Sequence, residues 1–202
     1  AWVRPAAVAG NARLQPIFTG DWWYNSTLEP WCIKRGHENL DSLVNAGAVI
    51  PKDSLGYNHA FKPGFLYEAA IAPITAFPVK GIIWYQGESN ALSAPRAMQH
   101  EALFPLLVAD WRRQWNQPDM PFYFCQLSSI STEKGYHSEN WPYFRNSQRR
   151  MADSIPYSGM AVTSDVGNPT NVHPTDKRTV GNRLARVALK RTYHKNILGT
   201  GP

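Results

Sequence analysis

Two short stretches of this chain carry residue types that do chemistry, at spacings that would let them do it. The first is Gly81–Asn90, GIIWYQGESN, where an apolar run passes straight into Gln86, Gly87, Glu88, Ser89 and Asn90. Polar groups directly beyond a buried run must be hydrogen-bonded or put to use. A carboxamide there could donate to a developing oxyanion, and a carboxylate could orient a histidine. A turn followed by a helix cap, with Glu88 and Asn90 bonding backbone amides, accounts for the same residues without chemistry. The second stretch is Asp165–Asp176, DVGNPTNVHPTD, where His173 stands in a loop just before a helical pattern. Imidazole is the usual proton carrier near neutral pH, although a lone loop histidine is more often a surface residue.

Strands and helices have to bring these stretches together. Val79–Tyr85, Met120–Leu127 and Gly159–Ser164 are short apolar runs and read as buried strands. Phe65–Phe77 reads as a short helix. Arg96–Trp115 reads as a helical stretch with a stripe of Phe104, Leu107, Val108, Trp111 and Trp115, in which Pro105 starts a new segment. Phe144–Ile155 and Thr175–Tyr193 are further helices; in the last, Val180, Leu184, Val187 and Ala188 share a face and Thr175 is placed to cap it. Strands alternating with helices imply parallel βαβ units and a sheet covered on both faces. Sites in such sheets form beyond the strand C-termini. The three runs end in Gln86-Gly87-Glu88, Gln126-Leu127-Ser128 and Asp165-Val166-Gly167, all polar. Residues 1–62 are irregular and aromatic, with only short helical hints such as Glu38–Asn45; residues 63–193 hold the βα core.

The 202 residues fit one domain. With 43% hydrophobic and 18% charged residues, and prolines and glycines scattered, the composition is globular rather than disordered. A net charge of +6 can signal nucleic acid, a membrane surface or an acidic glycan. The basic residues are dispersed, however. The dense cluster is Arg149-Arg150 with Arg145 nearby, and Lys177–Arg191 has the spacing of a solvated helix face, so no nucleic-acid partner is expected. No apolar run reaches the ~20 residues of a membrane span, and no membrane partner is expected. Six histidines show no metal-ligand spacing, so neither a metal nor another cofactor is expected. Cys125, inside an apolar run, reads as a buried free thiol, with a bridge to Cys32 as the alternative. The chain does not begin with Met and shows no signal peptide, so Ala1 reads as a processed or truncated start.

Taken together, WYQGESN and the later HPTDK resemble the sialate O-acetylesterases, within the wider SGNH-hydrolase or GDSL-like esterases. PGFLYEAAIAPI (63–74), LFPLLVADWRRQW (103–115), MPFYFCQLS (120–128), FRNSQRRMA (144–152) and GMAVTSDVGNP (159–169) follow in the family's order, so the resemblance covers roughly 55–192. It implies a three-layer α/β/α fold with a parallel five-stranded, flavodoxin-like sheet. It also implies metal-free hydrolysis of acetyl esters on an acetylated carbohydrate, in a secreted or periplasmic protein. The family's serine lies near the N-terminus in a G-Q-S-N-like motif, and a glycine-rich turn supplies a second oxyanion donor. Neither motif occurs here, which implies a single partial esterase domain over 1–202, lacking N-terminal strands and inactive without that segment of the same protein. By position, Gln86 would donate to the oxyanion and His173 would be the general base. Glu88 would orient neighbours or hold the histidine, while Asn90, Arg145 and Gln148 would line the pocket.

The sequence departs from the pattern in two places. Where the superfamily often has an aspartate three residues before the histidine, this chain has Thr170. That leaves Glu88, Asp165 or a backbone carbonyl as the partner of His173, with Glu88 preferred. Glu68 stands where relatives tend to carry Asn. Two rival readings remain. Gly87-Glu88-Ser89-Asn90-Ala91 imitates the nucleophile turn of α/β-hydrolases, with Ser89 as nucleophile. Alternatively, Trp22, Trp23, Tyr24 and Trp31 could stack on sugar rings in a carbohydrate-binding fragment without catalysis.

Overall fold

A computed structural model describes residues 2–133 and 138–199. The chain divides into two compact units, one of residues 79–105 with 117–202 and one of residues 1–78 with 106–116.

The first of these units contains a three-stranded sheet of β3 (Ile82–Trp84), β4 (Phe122–Cys125) and β5 (Ser158–Ala161). The strands pair in parallel in the order β3-β4-β5, with Ile82 opposite Phe122 and Phe122 opposite Ser158. All three expected strands are present, and parallel pairing puts their C-terminal ends on one edge. Every residue of the central β4 is buried, which is why its run is uninterruptedly apolar. Side chains alternate across it. Tyr123 and Cys125 pack with Ala161 against Val180, Leu184 and Val187 of helix α4 (Lys177–Arg191). Phe122 and Phe124 face the other way, meeting Phe104 at ring distances of 5.6 and 5.2 Å. Phe104 lies in the first half of helix α2 (Ala94–Gln114). On that face Leu127, Ala91 and Ala97 also pack with Trp141 and Phe144 of helix α3 (Trp141–Ser154). Helices thus cover both faces, the three-layer α/β/α arrangement the sequence implied.

The other unit is built from 3-10 turns, helix α1 (Pro30–Asn45) and a hairpin of β1 (Lys52–Asp53) and β2 (Gly56–Tyr57). Trp22 and Trp23 are buried there, and the Trp22 indole donates to the Tyr57 carbonyl at 2.8 Å. These two aromatics are core residues, whereas Tyr24 and Trp31 are exposed. Lys62 is fully buried and holds Asp53 at 2.6 Å and Asn58 at 2.8 Å. Arg4 grips the buried Asp110 carboxylate bidentately at 2.8 and 2.6 Å, and the guanidinium keeps that carboxyl below its ordinary range against the cost of burial.

Four local expectations need correction. The 65–77 stretch is not one α-helix but a π-helical turn (Tyr67–Ile71) followed by a 3-10 turn (Ala72–Ile74), where Pro73 supplies no amide donor. Pro105 starts no new segment: α2 runs through it. The hint at Glu38–Asn45 is the end of a longer helix that opens on Pro30, whose fixed φ suits a first turn. Asp176 rather than Thr175 caps α4, accepting from the Thr179 amide at 3.0 Å. No disulfide joins Cys32 and Cys125, and Cys125 is buried.

His100 on α2 lies among aromatics, 5.3 Å from the Phe104 ring and 4.8 Å from Phe144. It is 7% exposed, and its Nδ1 has no partner among the described residues. Desolvation pushes its pKa down from 6.5 to about 4. The unfolded chain therefore binds a proton there that the folded chain refuses. Stability should be flat above pH 6.5 and fall by up to about 3 kcal/mol as pH drops towards 4. Urea unfolding at pH 7.5 and 4.5 should show this loss, and it should shrink in His100→Phe; an equal loss in both proteins would contradict the assignment.

Candidate active site

The candidate site lies where β3, β4 and β5 end. Beyond β3 the chain turns at Gly87, with φ of +152°, so tightly that a Cβ there would sit 2.7 and 2.8 Å from ring carbons of Phe144. Only glycine permits this approach, and it sets the turn directly against the first turn of α3. Gln86, just before it, donates from Nε2 to the Asn90 side-chain oxygen at 2.7 Å. An amide nitrogen carries two hydrogens. One fixes the side chain on Asn90, and the second meets no acceptor among the described residues. Asn90, expected to line a pocket, is thus first a positioning residue for Gln86.

Glu88 is partly buried, and its carboxylate accepts from the Gly87 amide at 3.0 Å. Glu88 thus bonds a backbone amide as the capping alternative expects, but it makes no cap bond to the 3-10 turn that follows, and Asn90 bonds the Gln86 side chain instead of a backbone amide. The Glu88 charge is also felt at Tyr85 and Cys125. Desolvation is the main cause of the raised pKa of each, and Glu88 adds to it. The Cys125 thiol is pushed up to about 12, which makes it an inert core residue. Lys177, at the start of α4, places its ammonium 4.7 Å from the Tyr85 ring centre. The end of β3 therefore sits among a carboxylate, an ammonium and a phenol.

Beyond β4, Gln148 of α3 spans the strand's exit. Its Oε1 accepts from the Leu127 amide at 2.8 Å and its Nε2 donates to the Cys125 carbonyl at 2.9 Å. The side chain is 2% exposed. Both ends of the amide are spent on backbone, which corrects the expectation that Gln148 lines the pocket: it holds the strand end in place. Gln126 reaches the Arg145 carbonyl at 3.4 Å, and Thr163 Oγ1 donates to the Gln126 carbonyl. The exits of β4 and β5 are thereby tied together. At Gly167 the next loop comes so close to the Ser129 backbone that a Cβ would collide with it.

The loop beyond β5 carries His173. Asn168 Oδ1 accepts from the amides of Thr170 and Asn171, and Asn171 Oδ1 accepts from the His173 amide at 2.8 Å. Val172 packs on the same cluster as Ala91, Leu127 and Phe144, which brings this loop to the exits of β3 and β4. The His173 side chain is exposed. Among the described residues its ring makes no hydrogen bond or ion pair, with Glu88 or with any other group. The preferred carboxylate partner is therefore not engaged in this state. Asp165 is committed elsewhere: Arg183 holds it at 2.5 and 2.6 Å while also donating to the Val162 carbonyl, and keeps its pKa low. Ser89 opens a 3-10 turn and its hydroxyl has no bond to His173 among the described residues, so no nucleophile–base pair forms there. No group of three or more His, Cys, Asp or Glu side chains among the described residues is placed to hold a metal ion.

Comparison with known proteins gives consistent matches. The family model described as carbohydrate esterase, sialic acid-specific acetylesterase matches residues 52–190. The sialate O-acetylesterase of Mus musculus is 34% identical over 153 residues, covering 68% of this chain and 28% of its own. That of Homo sapiens is 28% identical over 199 residues, covering 89% and 36%. A crystal structure of a carbohydrate acetylesterase from Xanthomonas citri superposes with a TM-score of 0.63 at 35% identity, covering 69% of this chain and 32% of that one. The chain thus spans about a third of the length of these relatives.

Replacing Gln148 with Ala would leave the Leu127 amide and the Cys125 carbonyl buried and unpaired. The expected loss is about 2–6 kcal/mol of unfolding free energy, from a penalty of roughly 1–3 kcal/mol for each of the two groups. Denaturant unfolding checks it, and a change below about 0.5 kcal/mol, the scale of an ordinary surface substitution, would show that the clamp does not matter.

Proposed function

The chain belongs to the sialic acid-specific acetylesterase family of carbohydrate esterases, and from that membership we propose that it carries the oxyanion and proton-transfer half of a site that hydrolyses acetyl esters on a sugar. The observation that carries the reading is the convergence of the three strand exits, with Gln86 fixed on Asn90 and the His173 loop packed on the cluster that includes Ala91. The free Nε2 hydrogen of Gln86 would donate to the oxygen that becomes negative as the acetyl carbon turns tetrahedral. His173 would take the proton from the attacking serine hydroxyl and return it to the departing sugar oxygen. Its exposed ring, with no partner among the described residues, leaves both nitrogens available.

The nucleophile has no candidate in the expected place in this chain, and the reading assigns it to a segment outside it. The sheet supports this. β3 pairs with β4 on one side only among the described residues, and Ile83 on it is 68% exposed. An exposed isoleucine on a strand with an open edge suits a further strand added there. Such a strand running parallel would end at the same edge as Gln86. This agrees with the resemblance's implication of more strands than three.

The test is kinetic. The chain alone should show almost no turnover of a chromogenic acetyl ester, and Ser89→Ala should change nothing. In a protein that also contains the serine-bearing segment, His173→Ala should lower kcat by at least ~10³, because members of such a set act as a unit. Gln86→Ala should cost about 10²–10³, the usual loss for one oxyanion donor. Strong activity in the chain alone that Ser89→Ala abolishes would replace this mechanism with the α/β-hydrolase one.

A further inference from the structure

Helix α4 opens on two cations. Lys177 and Arg178 are its first residues, its first turn holds no acidic residue, and the Asp176 side chain before it is spent on the Thr179 amide. The first turn is the positive end of a helix, where an ammonium is disfavoured. A lysine in that position needs a counterpart outside its own helix, and Lys177 has one. Its Nζ lies 4.7 Å from the centre of the Tyr85 ring, inside the range of a cation–π contact. The ammonium is turned towards the sheet: burial pushes the Cys125 thiol up, and the Lys177 charge acts on the same group in the opposite sense.

Tyr85 is held from the other side. Its ring packs on the core cluster that includes Tyr123, Val180 and Leu184, so its place does not depend on Lys177. Tyr85 is also the residue directly before Gln86, and Lys177 follows His173 by four positions. The contact therefore joins the neighbour of the oxyanion donor to the helix end that closes the His173 loop. The other ties of that loop go elsewhere. Val172 packs on the cluster of Ala91, Leu127 and Phe144, and the Pro169 carbonyl accepts from the Ser131 amide at 3.2 Å. Those contacts hold the loop against the helix α3 side and the β4 exit, and Lys177 ties it to the end of β3.

We propose that Lys177 is a positioning residue for the reaction, whose ammonium, seated on the Tyr85 ring, sets the separation of His173 from Gln86. The inference rests on the esterase reading for what those two groups do, but the tether can be read without turnover. Lys177 touches no reacting atom in this arrangement. It acts on kcat rather than on KM, because a proton carrier out of register slows the chemical step without changing how the sugar binds.

The experiment begins with amide hydrogen exchange in the full chain. The His173 amide donates to Asn171 Oδ1 within the loop, and Leu184 lies in the middle of α4. Lys177→Gln should speed exchange at His173 about two- to fivefold, the scale of one exposed cation–π contact, and leave Leu184 as protected as in the parent. Lys177→Arg keeps a cation over the ring and should restore the parent rate. Tyr85→Phe keeps the ring and should match the parent, whereas Tyr85→Leu should behave at His173 like Lys177→Gln. In the serine-containing enzyme, Lys177→Gln should lower kcat by the same two- to fivefold with KM unchanged, and Lys177→Arg should recover it. Unchanged exchange at His173, equal loosening at His173 and Leu184, no rescue by Lys177→Arg, or a change in KM with kcat intact would overturn the proposal. Exchange that moves as expected in an enzyme that turns over no acetyl ester would uphold the tether while removing the esterase reading.

Discussion

The candidate site depends on how the exit of the central strand β4 is held. A parallel strand that ends in a buried environment leaves backbone donors and acceptors that no neighbour completes. Gln148 completes two of them from α3, at the Leu127 amide and the Cys125 carbonyl, and Thr163 takes the Gln126 carbonyl from the β5 side. Once β4 is fixed, its neighbours follow by register: Trp84 of β3 opposite Phe124, and Ala161 of β5 opposite Cys125. The chemistry-bearing loops then leave the sheet at one edge. The aromatic packing below β4, Phe122 and Phe124 against Phe104, makes that frame rigid enough to position loops above it.

The loops use a second device, in which small polar side chains cap their own backbone. Asn168 and Asn171 shape the approach to His173, as Glu88 shapes the turn after Gln86. Bonds of this kind fix a loop without using the groups that would do chemistry. Asn90 does the same for Gln86 and takes one of its two amide hydrogens. On the proposed reading Gln86 is the oxyanion donor and His173 the proton carrier, while Arg183 holds Asp165 and the Glu88 carboxylate accepts from a backbone amide.

Much of the frame was legible in the residues. FYFC at 122–125 is apolar without a break, and only a strand buried on both faces has use for that. The stripe from Phe104 to Trp115 marked α2, and the polar residues after each apolar run marked the strand exits. Gln148 was read as a pocket residue, because sequence shows a polar side chain on a helix but not the unpaired backbone groups it meets. Asp165 lies near His173 in the sequence, but Arg183, eighteen positions later, holds both its oxygens, and nothing in local spacing signals a contact between a loop and a helix face. Pro105 misled because a proline inside a helix is costly in isolation, whereas here α2 continues through it between the buried Phe104 and Leu107.

The most direct test of the central claim, that the strand exits of this chain form the oxyanion and proton-transfer half of an ester-hydrolysing site, is a crystal structure of the serine-containing enzyme carrying a covalent phosphonate mimic of the tetrahedral intermediate. The account predicts the phosphonyl oxygen within about 3 Å of Gln86 Nε2 and the His173 ring within hydrogen-bond reach of the serine oxygen. A phosphonate seated away from the β3 exit, with Gln86 and His173 both out of reach, would contradict it.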